Sequence, residues 1–443
     1  MKKRWLGLLL ILTMALCLLP AAALAEGENE RHVSTTEALL AAIADESVSV
    51  IHIDADFAIG EPISIERELT LRGNWSEIAC RKGVTVKNGG ALKLDGSFTM
   101  SVFDSAFAVE SGGALTVEQN AALNIAPNSA AASFTLASGG TLTLRGSLIL
   151  ESESAFSADG TLNIENGTFR VGSMENLKKV APLGGRLYLD GLTIDEDYTL
   201  DMGGRTLEIT GSFTQKNGAM LTVTNAQRVE SGGVAWIDGV TFDCPVHLRD
   251  AEGNIRGGVF RGDVSFGYGA GTILGGEFYG KVTGGTYNGA IEGGSFFGPV
   301  DLSGTRGGNN VRGGTFYNEL ILGESQIYGL RVTYQTDGAD YAVSVVPGGQ
   351  KTAAPKAPEK DGYDFDGWYL DDTAYDFESP VNENLTLTAH WKLKPETPAQ
   401  EPKTDNPKAG DAANFALWIT LAVIGGAGTV AAAAREKKLR RVK

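Results

Sequence analysis

Cysteine, histidine and basic residues are all scarce in this chain of 443 residues. It holds three Cys, four His and 38 Lys plus Arg against 54 Asp plus Glu. Each shortage excludes something. A formal charge of −16 at pH 7 repels phosphate backbones, so nucleic acid is not an expected partner. His32, His52, His247 and His390 are scattered along the chain, so neither a histidine-built metal centre nor any cofactor is expected. Long apolar runs occur only at the two ends.

Glycine is what the chain has in excess: 58 residues, about one in eight against a usual share of about 7%. There is no three-residue period, which excludes collagen, and regular apolar positions beside the glycines argue against disorder. Many glycines come in pairs that feed a short alternating run: Gly89-Gly90-Ala91-Leu92, Gly112-Gly113-Ala114-Leu115, Gly139-Gly140-Thr141-Leu142 and Gly184-Gly185-Arg186-Leu187. Further on the unit becomes Gly-Gly-x-aromatic, ending in Phe260, Phe278, Tyr287, Phe296 and Phe316. A tight turn feeding a short strand, repeated along the chain, predicts a solenoid rather than a single globular core.

The two ends read as addresses. Lys2, Lys3 and Arg4 precede an apolar run and then Ala23-Leu24-Ala25, the pattern of a signal peptide over residues 1–25 with small residues Ala23 and Ala25 at the cleavage site. Leu16 ahead of Cys17 is too bulky to suggest lipidation. Cys80 and Cys244 then remain, expected several coils apart and so beyond the roughly 7 Å limit for a disulfide. Both are expected as buried free thiols. Residues 415–434 are apolar for the length of one membrane-spanning helix, and a basic tail at 435–443 places that end in the cytoplasm. Residues 393–414 form a proline-containing linker. Within it Asn406-Pro407-Lys408-Ala409-Gly410-Asp411, followed by the span and basic tail, resembles the cell-wall sorting signal of Gram-positive surface proteins. The resemblance implies a sortase as partner, with Ala409 standing where that family has Thr.

Between the ends, Ser34-Thr35-Thr36-Glu37 reads as a capping box before a short helix, which is placed to cap the open end of a solenoid. Turn pairs near 89, 112, 139, 184, 203 and 232 are spaced about one β-helix coil apart. Phe98, Phe169, Phe213 and Phe242 are expected to stack along one inner face. From 239 the turns fall at 257, 275, 284, 293 and 313, so nine-residue half-units are expected within 18-residue coils. The aromatic after each pair is read as core rather than as an exposed sugar-stacking row. Residues 32–330 resemble the right-handed parallel β-helix of pectate-lyase-like and adhesin-like surface proteins, which makes the fold class mostly β.

Residues 331–392 contain Gly362-Tyr363-Asp364-Phe365-Asp366-Gly367-Trp368-Tyr369 and close on His390-Trp391. This is similar to the Listeria–Bacteroides repeat, also called the internalin B-repeat, which implies a small β-grasp-like module with Trp368 and Trp391 in its core. No catalytic constellation stands out. Asp95, Asp190 and Asp238 each precede Gly and read as turn formers, and Asp54 and Asp56 share one strand face by simple alternation. The sequence therefore predicts a non-enzymatic surface protein for adhesion, matrix interaction or envelope structure, with a glycan or extracellular-matrix ligand. A wall-anchored polysaccharide lyase or glycoside hydrolase, or a carbohydrate-binding surface protein, is the alternative.

Overall fold

Short alternating runs dominate because each strand has one face to bury and one to expose, and a coil must turn within a few residues. In the computed structural model, which describes residues 29–232, 236–250, 254–268, 271–284, 289–304 and 310–395, these runs stack in parallel as a β-solenoid of about 13 turns. One sheet of 19 strands runs from Glu30–Val33 to Leu320–Ile321. Its two early columns are joined by the 13-residue strands Glu68–Cys80 and Ala91–Phe103, which bend through a corner while staying paired. A five-stranded sheet closes the early coils; sheets of 12 and six strands close the later ones.

The interior is apolar, with aliphatic columns beside aromatic ones. Leu71, Leu94, Val117 and Leu144 occupy one inward column and are buried, each against its counterpart in the next coil. Outside, opposite charges meet across coils: Lys93 and Arg145 both lie 3.0 Å from Glu118, and Arg145 lies 2.9 Å from Glu165. Such exposed pairs each contribute little, but a network along the axis fixes register between coils.

The helix spans Thr36–Ala44, with Leu39 and Ala42 buried in the solenoid core. Its N-cap is Thr35, whose side chain accepts from Ala38 N, one residue later than the expected box at Ser34. A strand, Glu30–Val33, precedes it and pairs with Val50–Ile53, so the helix is part of the first coil. Arg67 holds the far end, donating to Ile43 O at 3.1 Å and Asp45 O at 2.8 Å, where helix carbonyls lack partners.

A second helix, Met174–Val180, replaces the strand expected in its coil. Ser173 caps it, and Asn176 at its buried face donates to Ser154 O at 2.8 Å. Between Trp236 and Ala290 the coils are 18 residues long: Trp236 pairs with Asn254, Asn254 with Thr272, and Thr272 with Ala290. The nine-residue half-unit is not repeated: Val282 and Thr283, just ahead of Gly284, are register mates of Val264 and Ser265 in the coil before and of Val300 and Asp301 in the coil after, none of which leads into a glycine pair.

The paired glycines are explained at one corner. A Cβ on Gly293 would run into Leu274 O of the preceding coil, and Gly294 has φ +101°, a conformation that L side chains rarely adopt. The Phe prediction divides. Phe98, Phe169, Phe213 and Phe242 are all buried, but not in one column: Phe169 is level with Leu148 and Leu187, and Phe242 begins a stack on a different sheet. That stack runs Phe242, Phe260, Phe278, Phe296, Phe316, with the last four centroids 4.8 to 4.9 Å apart.

Asp301 ties two coils together on the outer face. Lys281 Nζ donates to it at 2.8 Å and Ser303 Oγ at 2.6 Å. The lysine hydrogen bond and then Ser303 hold its carboxyl down at about 2. A lowered folded value means the stabilisation is complete above the usual aspartate value of about 3.9 and is lost as pH falls through about 2. Asp301→Asn is therefore expected to lower the thermal midpoint at pH 7 and to leave it unchanged below pH 2, as followed by circular dichroism.

The C-terminal module begins with Leu330–Thr336 and Ala339–Val346, an antiparallel pair, and adds Leu385–Leu393 parallel to the first of these. Val332, Tyr334, Trp368 and Leu387 are its buried core, and Trp391 packs against them as expected. The described residues up to Lys360 together with Phe365–Trp391 form one compact unit, so solenoid and module share it. Strand Ala339–Val346 pairs antiparallel with Gly314–Phe316 of the last coils, and Thr315 Oγ1 lies 2.8 Å from Ser344 Oγ.

Candidate functional site

Alternation along the strands of the long sheet sends every second residue outward, and coil stacking places those residues in a column. From Asn124 that column continues through Ile149, Arg170, Tyr188, Glu208, Glu230 and His247 to Ser265. The centre of it is charged. The adjoining column of the early coils stops at Thr161–Ile164, because the second helix and Gly184-Gly185 occupy the next turn. The step leaves a cleft of about 540 Å³ lined by Ile164, Arg186, Tyr188, Arg205, Glu208, Arg228 and Glu230.

Two carboxylates on successive coils form its floor. Glu230 is 7% exposed, a degree of burial that a charge tolerates only when paired. All four carboxylate oxygens face guanidinium groups. Arg186 lies 2.9 Å from Glu208 Oε1, and Arg228 pairs with Glu230 Oε1. Arg249 Nη2 lies 3.5 Å from Glu208 Oε2 and 3.2 Å from Glu230 Oε2, bridging the two. Burial and then the Glu208 carboxylate raise the Tyr188 phenol, keeping it a neutral hydroxyl. His247 Nδ1 is 2.8 Å from Ser265 Oγ. Arg205 does another job, donating to the backbone oxygens of Ala181, Gly185 and Met202 and so pinning the step.

A neighbouring cleft of about 470 Å³ continues the polar face past Asn124, Glu151, Arg170 and Asp190. Arg170 Nε donates to Asp190 Oδ2 at 2.8 Å, and Thr210 Oγ1 to Asp190 Oδ1 at 2.9 Å. Together the clefts present guanidinium donors, carboxylate acceptors and one phenol along the axis. Such a face can hold a polar ligand by many hydrogen bonds.

The residues singled out in the sequence fall elsewhere. Ala23, Ala25, the segment Asn406, Pro407, Lys408, Ala409, Gly410 and Asp411, Tyr287 and the apolar run 415–434 lie outside the described residues. Among the described residues no helix is long and apolar enough to cross a membrane. Asp238 makes its expected turn, accepting from Gly239 N at 2.9 Å. Asp95 and Asp190 do more than turn the chain: each pairs with an arginine of the preceding coil, Arg72 and Arg170. Asp54 and Asp56 separate too, one accepting from His32 and the other from Glu77 N. Nor are the histidines all scattered. His32 and His52 are register mates whose rings stack at 4.3 Å, each beside a carboxylate. Among the described residues no group of three His, Cys, Asp or Glu is placed to hold a metal ion. Cys80 and Cys244 are free and buried, their thiols pushed up by burial to about 12 and about 11, and so inert.

The aromatics settle into two rows. Phe260, Phe278, Phe296 and Phe316 are inside, as expected. The residues after three of them form an outer row: Tyr279 stacks on Phe297 at 4.7 Å, and Phe297 on Tyr317 at 4.6 Å. Phe297, stacked on both sides, has its faces covered and presents mainly its edge.

Sequence reasoning missed the pair Glu208 and Glu230. The signal available was the alternation Leu207-Glu208-Ile209 and Val229-Glu230-Ser231, two acids at the same phase of two turns. Comparison with known proteins informs the C-terminal module. A family model of the Listeria-Bacteroides repeat domain matches residues 331–390. Over 79 residues the chain is 33% identical to a protein of Evansella cellulosilytica named "Putative membrane protein". That match takes in 17% of this chain, which spans only 12% of the relative's length. The chain is thus a β-solenoid repeat protein carrying a Listeria–Bacteroides repeat, features consistent with a surface or membrane location.

Proposed function

We propose that this chain is a non-enzymatic, cell-surface-anchored protein that displays a rigid solenoid for adhesion or matrix interaction and binds through the polar face around Glu208 and Glu230. The observation that carries the reading is the engagement of all four carboxylate oxygens by Arg186, Arg228 and Arg249. Carboxylates held this way position ligands and guanidiniums. In this reading residues 1–25 direct export, the first helix covers the N-terminal end of a right-handed coil stack, and a β-grasp-like module with its linker lifts the solenoid from the envelope. A sortase or the span at 415–434 supplies the anchor.

The rival reading is a polysaccharide lyase or glycoside hydrolase. It draws on Glu208 and Glu230 lying on successive coils of an outer parallel sheet, flanked by Tyr188 and His247. One experiment separates the two. The full chain is incubated with polygalacturonate, chitosan, xylan and chondroitin, and reducing ends and unsaturated products are measured beside retention of each polymer. Retention without product, weakened by Arg249→Ala, is expected. Product formation that disappears in Glu230→Gln would overturn the proposal.

A further inference from the structure

Trp75 is the most exposed large apolar side chain among the described residues, at 88%, and its backbone has φ +59°. Both facts run against ordinary preference, since tryptophan is buried on average and a bulky side chain rarely sits at positive φ. Register shows how this arises. Gly73 pairs with Gly96 and Asn74 with Ser97, but the next partner of Phe98 is Ser76, so Trp75 is one extra residue bulged out of the corner. Bulges re-aim side chains, and here the bulge turns an indole to solvent at a position where glycine would be relaxed.

The corner is held firmly. Ser76 is buried and its Oγ donates to Ile53 O at 3.0 Å. Glu77 N donates to Asp56 Oδ1 at 2.8 Å, and Ser101 Oγ to Glu77 Oε1 at 2.5 Å. A Cβ on Gly73 would run into Ser76 Oγ and the Phe98 ring, so the strand cannot slide inward. The indole is thus mounted on a rigid base and costs little ordering when something lands on it.

We infer that Trp75 is a stacking platform for a single pyranose ring, a site separate from the Glu208 and Glu230 face and independent of the reading above. The surroundings choose the ligand class. The other exposed large apolar residues, Leu274, Tyr279, Ile321, Tyr328, Leu370 and Leu393, all belong to the last coils or the module. A protein hot spot is ringed by further packed contacts, and a membrane-seeking surface needs several apolar side chains together. A lone exposed indole whose near neighbours in the chain, Asn74 and Glu77, are exposed and polar matches a sugar instead. The axial C–H groups of an equatorially substituted pyranose cover the indole, and its hydroxyls reach polar partners at the rim.

The test titrates cellotetraose and chitotetraose into the full chain and into Trp75→Gly and Trp75→Tyr, with ligand-observed NMR as readout and thermal midpoints measured in parallel. The expected result is saturable binding of at least one tetrasaccharide, weakened tenfold or more in Trp75→Gly and less in Trp75→Tyr. The midpoint of Trp75→Gly should equal or exceed that of the native chain, because glycine relieves the positive φ. The proposal is overturned if neither tetrasaccharide binds the native chain, if Trp75→Gly binds as well as native, or if that variant melts lower. Each variant leaves Glu208, Glu230 and Arg249 in place, so polymer retention by that face reports separately on the proposed function.

Discussion

Phe278→Ala is expected to destabilise the later coils by about 3–5 kcal/mol, the range for removing a fully buried phenylalanine. The upper part of that range applies because the site cannot close. Phe278 lies between Phe260 and Phe296 with centroids 4.8 Å away on either side and interplanar angles of 7° and 10°. Backbone hydrogen bonds fix the coil spacing, so deleting the middle ring leaves a void that its neighbours cannot fill by approaching. Two ring pairs are lost as well, each contributing roughly 0.5–1.5 kcal/mol. Solenoid stability is carried by nearest-neighbour coils, so loss should begin as local fraying at 240–320 before the early coils melt. Hydrogen exchange resolved along the chain checks this: protection falls first around Phe260 and Phe296, with Glu68–Cys80 unaffected. Phe278→Leu should recover much of the loss. Uniform loss of protection along the whole solenoid would show that the coils melt as one unit.

Removing the module from Leu330 onward is expected to leave a solenoid that self-associates. Gly314–Phe316 is the last solenoid strand of the 12-stranded sheet, and its free side is taken by Ala339–Val346. Val345 belongs to the solenoid core, while Tyr317 and Leu330 pack against the module core, so the two cores interlock. Tyr341 meets Tyr317 edge-on at 5.6 Å, and Lys356 N donates to the Tyr317 hydroxyl at 2.6 Å. Truncation strips the strand partner and uncovers Phe316, making an open edge beside exposed apolar surface, which is the usual template for aggregation. Light scattering coupled to size exclusion should show higher-order species that grow with concentration. A truncated chain that stays monomeric with an unchanged melting midpoint would mean that the module is only tethered.

These expectations show which parts of the molecule could be read in one dimension. The inner Phe260, Phe278, Phe296 and Phe316 row was legible because each ring follows a glycine pair at a constant distance, and a corner of fixed length forces a fixed phase. The module was legible because Gly362 through Tyr369 is a dense local pattern. The second helix was not, although Ser173 followed by Met174, Glu175 and Asn176 offered a cap: one short helix among repeated strand units carries too few residues for its period to show. The proposed Phe98, Phe169, Phe213 and Phe242 column failed for a related reason. Early coils differ in length, so equal spacing from a turn does not mean equal position around the coil.

The sequence by itself determined the coil, its acidic exterior and the glycine corners, because those follow from alternation, charge and steric limits within a few consecutive residues. Tertiary structure alone decided which residues meet across coils. Glu208 faces Glu230, His32 stacks on His52, and Trp75 is expelled at a bulge, because register between coils depends on the length of every intervening corner. A one-residue difference at a corner moves a side chain to the opposite face, and no local pattern in the sequence reports that count.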